Sequence, residues 1–242
     1  MNTLELFESQ AAAWGVRLDG GQRESMLRYA HLLANYERAN VIGTKDPDRI
    51  ILDHVLDSLS CFLHEPLMRA RRLADIGSGG GLPGIPINIA RPYLQTTLVE
   101  STWKKVQFLR SVVDELSLEG IEIANIRAEA IGRTREHRGG YDVATTRAVA
   151  RLSVVAEYCV PLLEVGGCAI AMKGRLEAEE LSEGGRASDA LGANVAEVKR
   201  VPMIPEVGDK ERNLVIIEKV GETPDRYPRR PGMVVKSPLG GA

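Results

Sequence analysis

The chain has 242 residues, 44% of them hydrophobic and 26% charged, with a formal net charge of −2. This is the composition of an ordinary globular protein with ample length for a full core. It excludes a polycationic nucleic-acid binder, so any nucleic-acid contact must come from local basic patches. No apolar run approaches the roughly 20 residues of a membrane span, and the 3 cysteines and 4 histidines show neither disulfide-framework nor metal-ligand spacing.

From Leu4 to about Leu67 the pattern is helical. Met26, Leu27, Ala30, Leu33 and Ala34 recur at helical spacing, as do Val55, Leu56, Leu59 and Leu63. Asp46-Pro47 is a helix start, with the aspartate as cap and the proline at the first helical position. Residues 1–67 are expected to form a helical cap packed on the remainder of the chain. The start, Met1 to Glu5, lacks the basic and apolar blocks of a secretory signal. Cys61, Cys159 and Cys168 read as buried small hydrophobes of a reducing compartment, so the cytoplasm is expected.

From Arg72 onward strands and helices alternate. Leu73–Ile76, Thr96–Val99, Ile121–Ile126, Tyr141–Thr145 and Cys168–Met172 read as strands, and Lys104–Leu116 is the clearest intervening helix. The alternation predicts an α/β fold, a Rossmann-like doubly wound sheet of parallel strands. Val195–Val201 and Leu214–Lys219 suit an antiparallel pair at the sheet edge, giving a seven-stranded, mostly parallel sheet over residues 68–220. Residues 221–242 change character: Arg226, Arg229, Arg230 and Lys236 lie among prolines and glycines, an extended basic tail with little prospect of regular structure.

The most informative stretch is Leu73-Ala-Asp75-Ile-Gly77-Ser-Gly79-Gly-Gly81-Leu82-Pro83-Gly84. A glycine-rich turn between a buried strand and a helix is where open α/β sheets bind nucleotide-like cofactors. Gly79, Gly81 and Gly84 satisfy the dinucleotide pattern G-x-G-x-x-G. Asp75, Gly77, Gly79 and Gly81 form D-x-G-x-G-x-G, the pattern of S-adenosylmethionine (SAM) enzymes. Pro83 and Pro86 remove two amide donors that a pyrophosphate would use, which favours SAM over NAD.

Ligands of such sheets lie across the carboxyl ends of the strands. The second strand ends at Val99-Glu100, about two dozen residues after Asp75, where a carboxylate can accept both hydroxyls of a ribose. That ribose belongs to NAD and SAM alike. After the third strand, Ala128-Glu129 can meet an adenine, although an ordinary loop acid fits the residues equally well. The fourth strand ends in Thr145-Thr146-Arg147, and an arginine there is placed to grip a carboxylate or phosphate.

These segments together resemble the bacterial 16S ribosomal RNA guanine-N7 methyltransferases, the small-subunit methyltransferase G family also called glucose-inhibited division protein B. The resemblance runs over essentially the whole chain. It includes Asn40-Val41, Asp46-Pro47, His54-Val-Leu-Asp57-Ser-Leu59, the turn from Asp75 through Pro86, Lys104-Lys-Val-Gln-Phe-Leu109, Thr146-Arg147-Ala148, Met172-Lys173-Gly174 and the tail Arg226-Tyr-Pro-Arg-Arg-Pro-Gly232. The G-x-G-x-G segment alone is common to many methyltransferases. Leu-Pro-Gly-Ile-Pro behind it and H-x-L-D-S-L ahead of it are far more specific.

The resemblance implies the class I SAM-dependent methyltransferase fold and methylation of a decoding-region guanine, conventionally numbered 527, in the small ribosomal subunit. It implies that Gly77 and Leu82 line the SAM site, that Glu100, Ser101 and Thr102 border the ribose, that Ala128 and Glu129 border the adenine, and that Arg147 completes the pocket. With Asp75, Gly79 and Gly81 these form the expected cofactor set. Two positions depart from the family pattern: Glu100 stands where aspartate is frequent, and Trp103 where a small residue is common.

Guanine N7 carries an in-plane lone pair and no proton at neutral pH, so its methylation requires no general base. No catalytic acid or base is assigned, which agrees with the absence of an obvious Cys/His or Asp/His catalytic pair, and no metal is expected. His54 and Asp57, three apart on a helix, are candidates for the substrate pocket together with Arg147. A buried hydrogen-bonded pair is the simpler reading of His54 and Asp57. Lys173, Arg212, Arg229 and Arg230 are candidate phosphate contacts, the tail arginines foremost. Trp103 and Tyr227 could stack a base, with core packing the better reading of Trp103. The expected partner is 16S rRNA within the small subunit, not DNA or membrane, and the expected state is a monomer. An NAD-dependent oxidoreductase and a non-catalytic ribosome-binding protein are the alternatives.

Overall fold

A computed structural model describes residues 2–241. Seven strands form one sheet in the order β3-β2-β1-β4-β5-β7-β6. They are β1 Arg72–Ile76, β2 Gln95–Val99, β3 Ile121–Ala124, β4 Tyr141–Arg147, β5 Leu163–Lys173, β6 Ala193–Arg200 and β7 Asn213–Lys219. The first five pair in parallel, and β7 runs antiparallel to both β5 and β6. The expected antiparallel pair is present, with β7 inserted between β5 and the edge strand β6. Insertion buries Leu214, Val215, Ile216 and Ile217 on both faces, which is why this run reads as continuously apolar instead of alternating.

Side chains on a strand alternate between faces, and two cores result. On one face Leu73, Leu98, Val143 and Ile170 pack beneath α1 Thr3–Ala13, α2 Gly20–Asn35, α5 Gly84–Ala90 and α6 Trp103–Glu115. On the other Ala74, Ile76, Ala144, Ala169 and Ala171 pack against α7 Ala128–Ile131, α8 Leu152–Cys159 and part of α9 Ala178–Ala190. The amino-terminal helices therefore share a core with the sheet.

Asp46 caps α3 Pro47–Ile50, accepting from the Asp48 amide at 3.0 Å. The helix does not continue regularly. Ile51–Leu56 is a π-helical turn before the short α4 Asp57–Leu59, the kind of irregularity that re-aims side chains at functional sites. It brings both His54 and Asp57 to Arg147.

The carboxyl-terminal segment, expected as an extended basic tail with little regular structure, is partly buried and includes a short helix. Tyr227 and Val234 are buried, and Met233–Lys236 forms a short helix, α10. Its apolar residues insert against α8, and carbonyls of the segment accept from Arg133 (Arg226 and Pro228) and from Arg138 (Thr223, Pro224 and Tyr227).

Candidate functional site

The glycine turn follows β1 and places its backbone at the carboxyl ends of β1 and β2. Gly77 has φ +71°, and a Cβ there would lie 2.7 Å from Val149 Cγ2; Gly79 has φ +58°, and a Cβ there would meet only the Gly77 carbonyl oxygen, at 3.8 Å. Both conformations disfavour L side chains. The turn is fixed from two sides. Gly77 and Ser78 donate to the Val99 carbonyl, and the Tyr29 hydroxyl of α2 donates to the Gly80 carbonyl at 2.5 Å.

Asp75 lies beneath this turn. It is fully buried, accepts from the Gly84 amide at 3.2 Å and from Thr145 Oγ1 at 3.0 Å, and burial pushes its pKa up to about 6. It thus ties β1, β4 and the start of α5 together, and presents no surface to a ligand. The expectation that Asp75 contacts the cofactor directly is corrected on that ground. Gly81 is likewise buried, and Leu82 packs toward the cap core.

A cleft opens beside Gly77, lined by Glu100, Ser101, Ala128 and Glu129 of the expected set and by Ile76, Val99, Ile126, Arg127, Val149 and Tyr158. The buried Glu100 carboxylate accepts from the Gly79 amide at 3.0 Å and the Thr102 amide at 2.7 Å. A carboxylate has about four lone-pair positions, so two remain for a vicinal diol. Thr102 serves through its backbone. Glu129 is turned partly toward the tail, accepting from the Gly232 amide at 3.1 Å. Burial and the nearby Glu129 push Tyr158 up to about 12, keeping it a neutral hydroxyl. The cleft therefore fits a nucleoside: an acid for the ribose, apolar walls for the base and a side-chain-free turn for close approach. Ile126 and Arg127 were signalled only by adjacency to Ala128. Val149 and Tyr158 carried no motif.

Arg147 faces a second cavity, with Asp57, Ser60, Met172, Lys173, Val201, Arg212 and Leu214, over the ends of β4, β5 and the start of β7. Residues 147–149 divide the two spaces: Arg147 and Ala148 line one, Val149 the other. Ala148 has φ +54°, a strained conformation for a residue with a Cβ. Arg147 is thus not a wall of the nucleoside cleft. It reaches Asp57 at 3.5 Å, donates to the His54 carbonyl at 3.2 Å and also donates to His54 Nδ1. Burial, then Arg147, lowers the His54 pKa to about 4, so the ring is neutral. Burial raises the Asp57 carboxyl above its usual range, while Arg147 and Arg212 pull it back.

The expected phosphate contacts divide in the same way. Arg212 pairs with Asp57 at 3.1 Å and stands 3.9 Å from Asp53. Lys173 pairs with Glu180 at 2.6 Å and donates to the Ala150 carbonyl at 2.8 Å. Arg229 clasps the fully buried Glu157, with bonds of 2.6 to 3.1 Å from its guanidinium and one of 2.7 Å from its amide. Of the candidate phosphate contacts, Arg229 is thus held in an internal ion pair, and Lys173 and Arg212 are each paired with a carboxylate. Arg230 is exposed. Trp103 is 56% exposed, contrary to the core reading, with the Arg110 guanidinium 5.2 Å from its ring centre. Tyr227 is buried and offers no free face for a base.

A family model described as rRNA small subunit methyltransferase G matches residues 22–215. The chain belongs to this family. It is 53% identical over 238 residues to the ribosomal RNA small subunit methyltransferase G of Rubrobacter xylanophilus, covering 98% of this chain and 91% of that one. It is 42% identical over 237 residues to the Roseiflexus protein of the same name, covering 98% and 100%. Among solved structures it resembles a branched-chain polyamine synthase from Thermus thermophilus, with a TM-score of 0.59 and 12% identity over 84% of this chain and 65% of that one. It also resembles the StiE O-methyltransferase domain, with a TM-score of 0.50 and 12% identity over 69% and 77%. These likenesses concern the fold, which is that of the class I SAM-dependent methyltransferases. The chain is a methyltransferase of the rRNA small subunit methyltransferase G family, and the oxidoreductase alternative is set aside. Among the described residues no helix is long and apolar enough to cross a membrane, and no group of His, Cys, Asp and Glu is placed to hold a metal ion.

Proposed function

We propose that this methyltransferase modifies N7 of a guanine in 16S rRNA, the decoding-region base that the family resemblance implies, and that the two cavities on either side of residues 147–149 receive cofactor and base. SAM, when bound, supplies a methyl group on a positively charged sulfur. In this reading the Glu100 carboxylate orients the ribose hydroxyls, with Gly77 and Gly79 permitting close approach and Ala128, Glu129 and Ile126 flanking the adenine.

The observation that carries the reading is that the second cavity, among the described residues, holds no unpaired base. Its ionisable lining side chains are paired: Asp57 with Arg147 and Arg212, Lys173 with Glu180. An acceptor that must lose a proton before attack would lack a partner here. Guanine N7 needs none, so catalysis rests on alignment and electrostatics. A purine stacked in RNA must be turned out to enter such a cavity.

The test is transfer of labelled methyl from SAM to purified small subunits lacking the modification, with large subunits, transfer RNA and DNA as competitors. Label recovered as 7-methylguanosine from 16S rRNA is the expected result. SAM binding without labelling of any acceptor would overturn the substrate and favour a non-catalytic ribosome-binding protein.

A further inference from the structure

The second cavity combines features that would conflict if its cations were free. A guanidinium approaching guanine forks bidentately onto O6 and N7, the commonest arginine contact to that base. Such a contact would occupy the lone pair that must attack the methyl group. Methylation also leaves positive charge on the purine, which a net-positive wall would repel. Yet Arg147, Lys173 and Arg212 all line this cavity.

Each of them is neutralised, and one carboxylate serves two. Asp57 Oδ2 lies 3.5 Å from Arg147 Nη1, while Asp57 Oδ1 lies 3.1 Å from Arg212 Nε. Asp57 is drawn from the cap, Arg147 from the end of β4, and Arg212 from the residue preceding β7. Its side chain is 13% exposed, and those of the two arginines 18% and 17%. Asp53, 3.9 Å from Arg212, supplies the second negative charge, and neutral His54 takes a hydrogen bond from Arg147. Arg147 and Arg212 thus face two carboxylates beside a neutral imidazole, Asp53 being shared with the largely exposed Arg49, also 3.9 Å away.

We propose that Asp57 is a positioning residue for methyl transfer, restraining Arg147 and Arg212 so that the purine enters with N7 unoccupied and meets a wall of near-zero net charge. This rests on the guanine-N7 reading above. Asp57 itself does not act on the reacting atoms; it acts through the two arginines. The apolar side of the cavity, Met172, Val201 and Leu214, gives the base a surface to pack on without competing for its acceptors.

The experiment compares wild type, Asp57→Asn, Asp57→Glu and the double variant Asp57→Asn/Arg147→Gln in labelled-methyl transfer to unmodified small subunits. SAM affinity and thermal midpoint are measured alongside. Expected for Asp57→Asn is a kcat at least about tenfold lower with KM for the subunit unchanged or lower, because a released guanidinium binds the base unproductively. Asp57→Glu keeps the charge and retains most of the rate. The double variant removes the released cation and is faster than Asp57→Asn alone. A double variant no faster than the single one, or Asp57→Glu as slow as Asp57→Asn, overturns the proposal. So does a raised KM with unchanged kcat. If wild type labels no guanine N7, the underlying reading fails and this proposal with it; wild-type labelling with any of the other outcomes removes this proposal alone.

Discussion

The Tyr29 hydroxyl donates a hydrogen bond to the Gly80 carbonyl across 51 residues of sequence. Tyr29 is fully buried in the core that the cap shares with the sheet, and Gly80 lies in the turn that forms the floor of the nucleoside cleft. The cap thus sets the conformation of the cofactor turn. Tyr29→Phe keeps the ring packing and strands the carbonyl, at a cost of about 1–3 kcal/mol. The expected outcome is a lower denaturant midpoint with unchanged m-value and weaker SAM binding by calorimetry. Unchanged affinity at reduced stability would confine the bond to folding.

Two glycines of the turn should respond differently to the same substitution. At Gly77 a side chain meets Val149 at 2.7 Å and a positive φ, whereas at Gly79 it meets only the Gly77 carbonyl oxygen at 3.8 Å, with φ +58°, which aspartate tolerates better than most residues. Gly77→Asp is expected to lose both stability and SAM binding. Gly79→Asp is expected to lose less stability than Gly77→Asp yet fail to bind SAM, its carboxylate filling the cleft beside Glu100. SAM titration of a folded Gly79→Asp with wild-type affinity would show that the cofactor does not lie against this turn.

The neutral His54 makes stability depend on pH. Its folded-state pKa of about 4 lies below the ordinary 6.5, from burial first and Arg147 second. Between these values the unfolded chain holds a proton that the folded one does not, so the contribution is complete above pH 6.5 and is lost as pH falls toward 4. Denaturation of wild type and His54→Gln across pH 7 to 4 should show a steeper loss for wild type. Parallel curves would mean that His54 is protonated without penalty.

The Arg229–Glu157 pair makes the carboxyl-terminal segment part of the fold. Removing the guanidinium leaves the fully buried Glu157 carboxylate with only the Arg229 amide as donor. Arg229→Met is expected to destabilise by about 3–5 kcal/mol, and Arg229→Met/Glu157→Gln by less, since no charge is then stranded. Urea unfolding of both variants decides. A loss below about 1 kcal/mol in the single variant would place the pair among solvated surface ion pairs.

Much of this architecture was legible before any tertiary contact was known. Strand periodicity, the Asp46-Pro47 cap, the glycine turn and the acid at the end of β2 are local features, and each stands where expected. The pairings of charges were not legible. Lys173, Arg212 and Arg229 look alike as isolated cations, and each has a carboxylate partner, Lys173 from the helix that follows its strand and the two arginines from distant segments. Trp103 and Tyr227 exchanged their expected environments for the same reason: hydrophobicity says that an aromatic ring favours burial, not which ring finds room.

The sequence by itself determined the class of fold, the cofactor turn and the family, because backbone preferences and strand-end chemistry act over a few residues. Only the tertiary structure decided that β7 enters between β5 and β6, that Tyr29 holds Gly80, that the tail docks through Arg229, and that Asp57 neutralises two arginines at once. The side-chain contacts among these join residues 51 to 155 positions apart in the chain. Their energies depend on burial and on the exact meeting of donor and acceptor, which chain folding creates and local pattern does not encode.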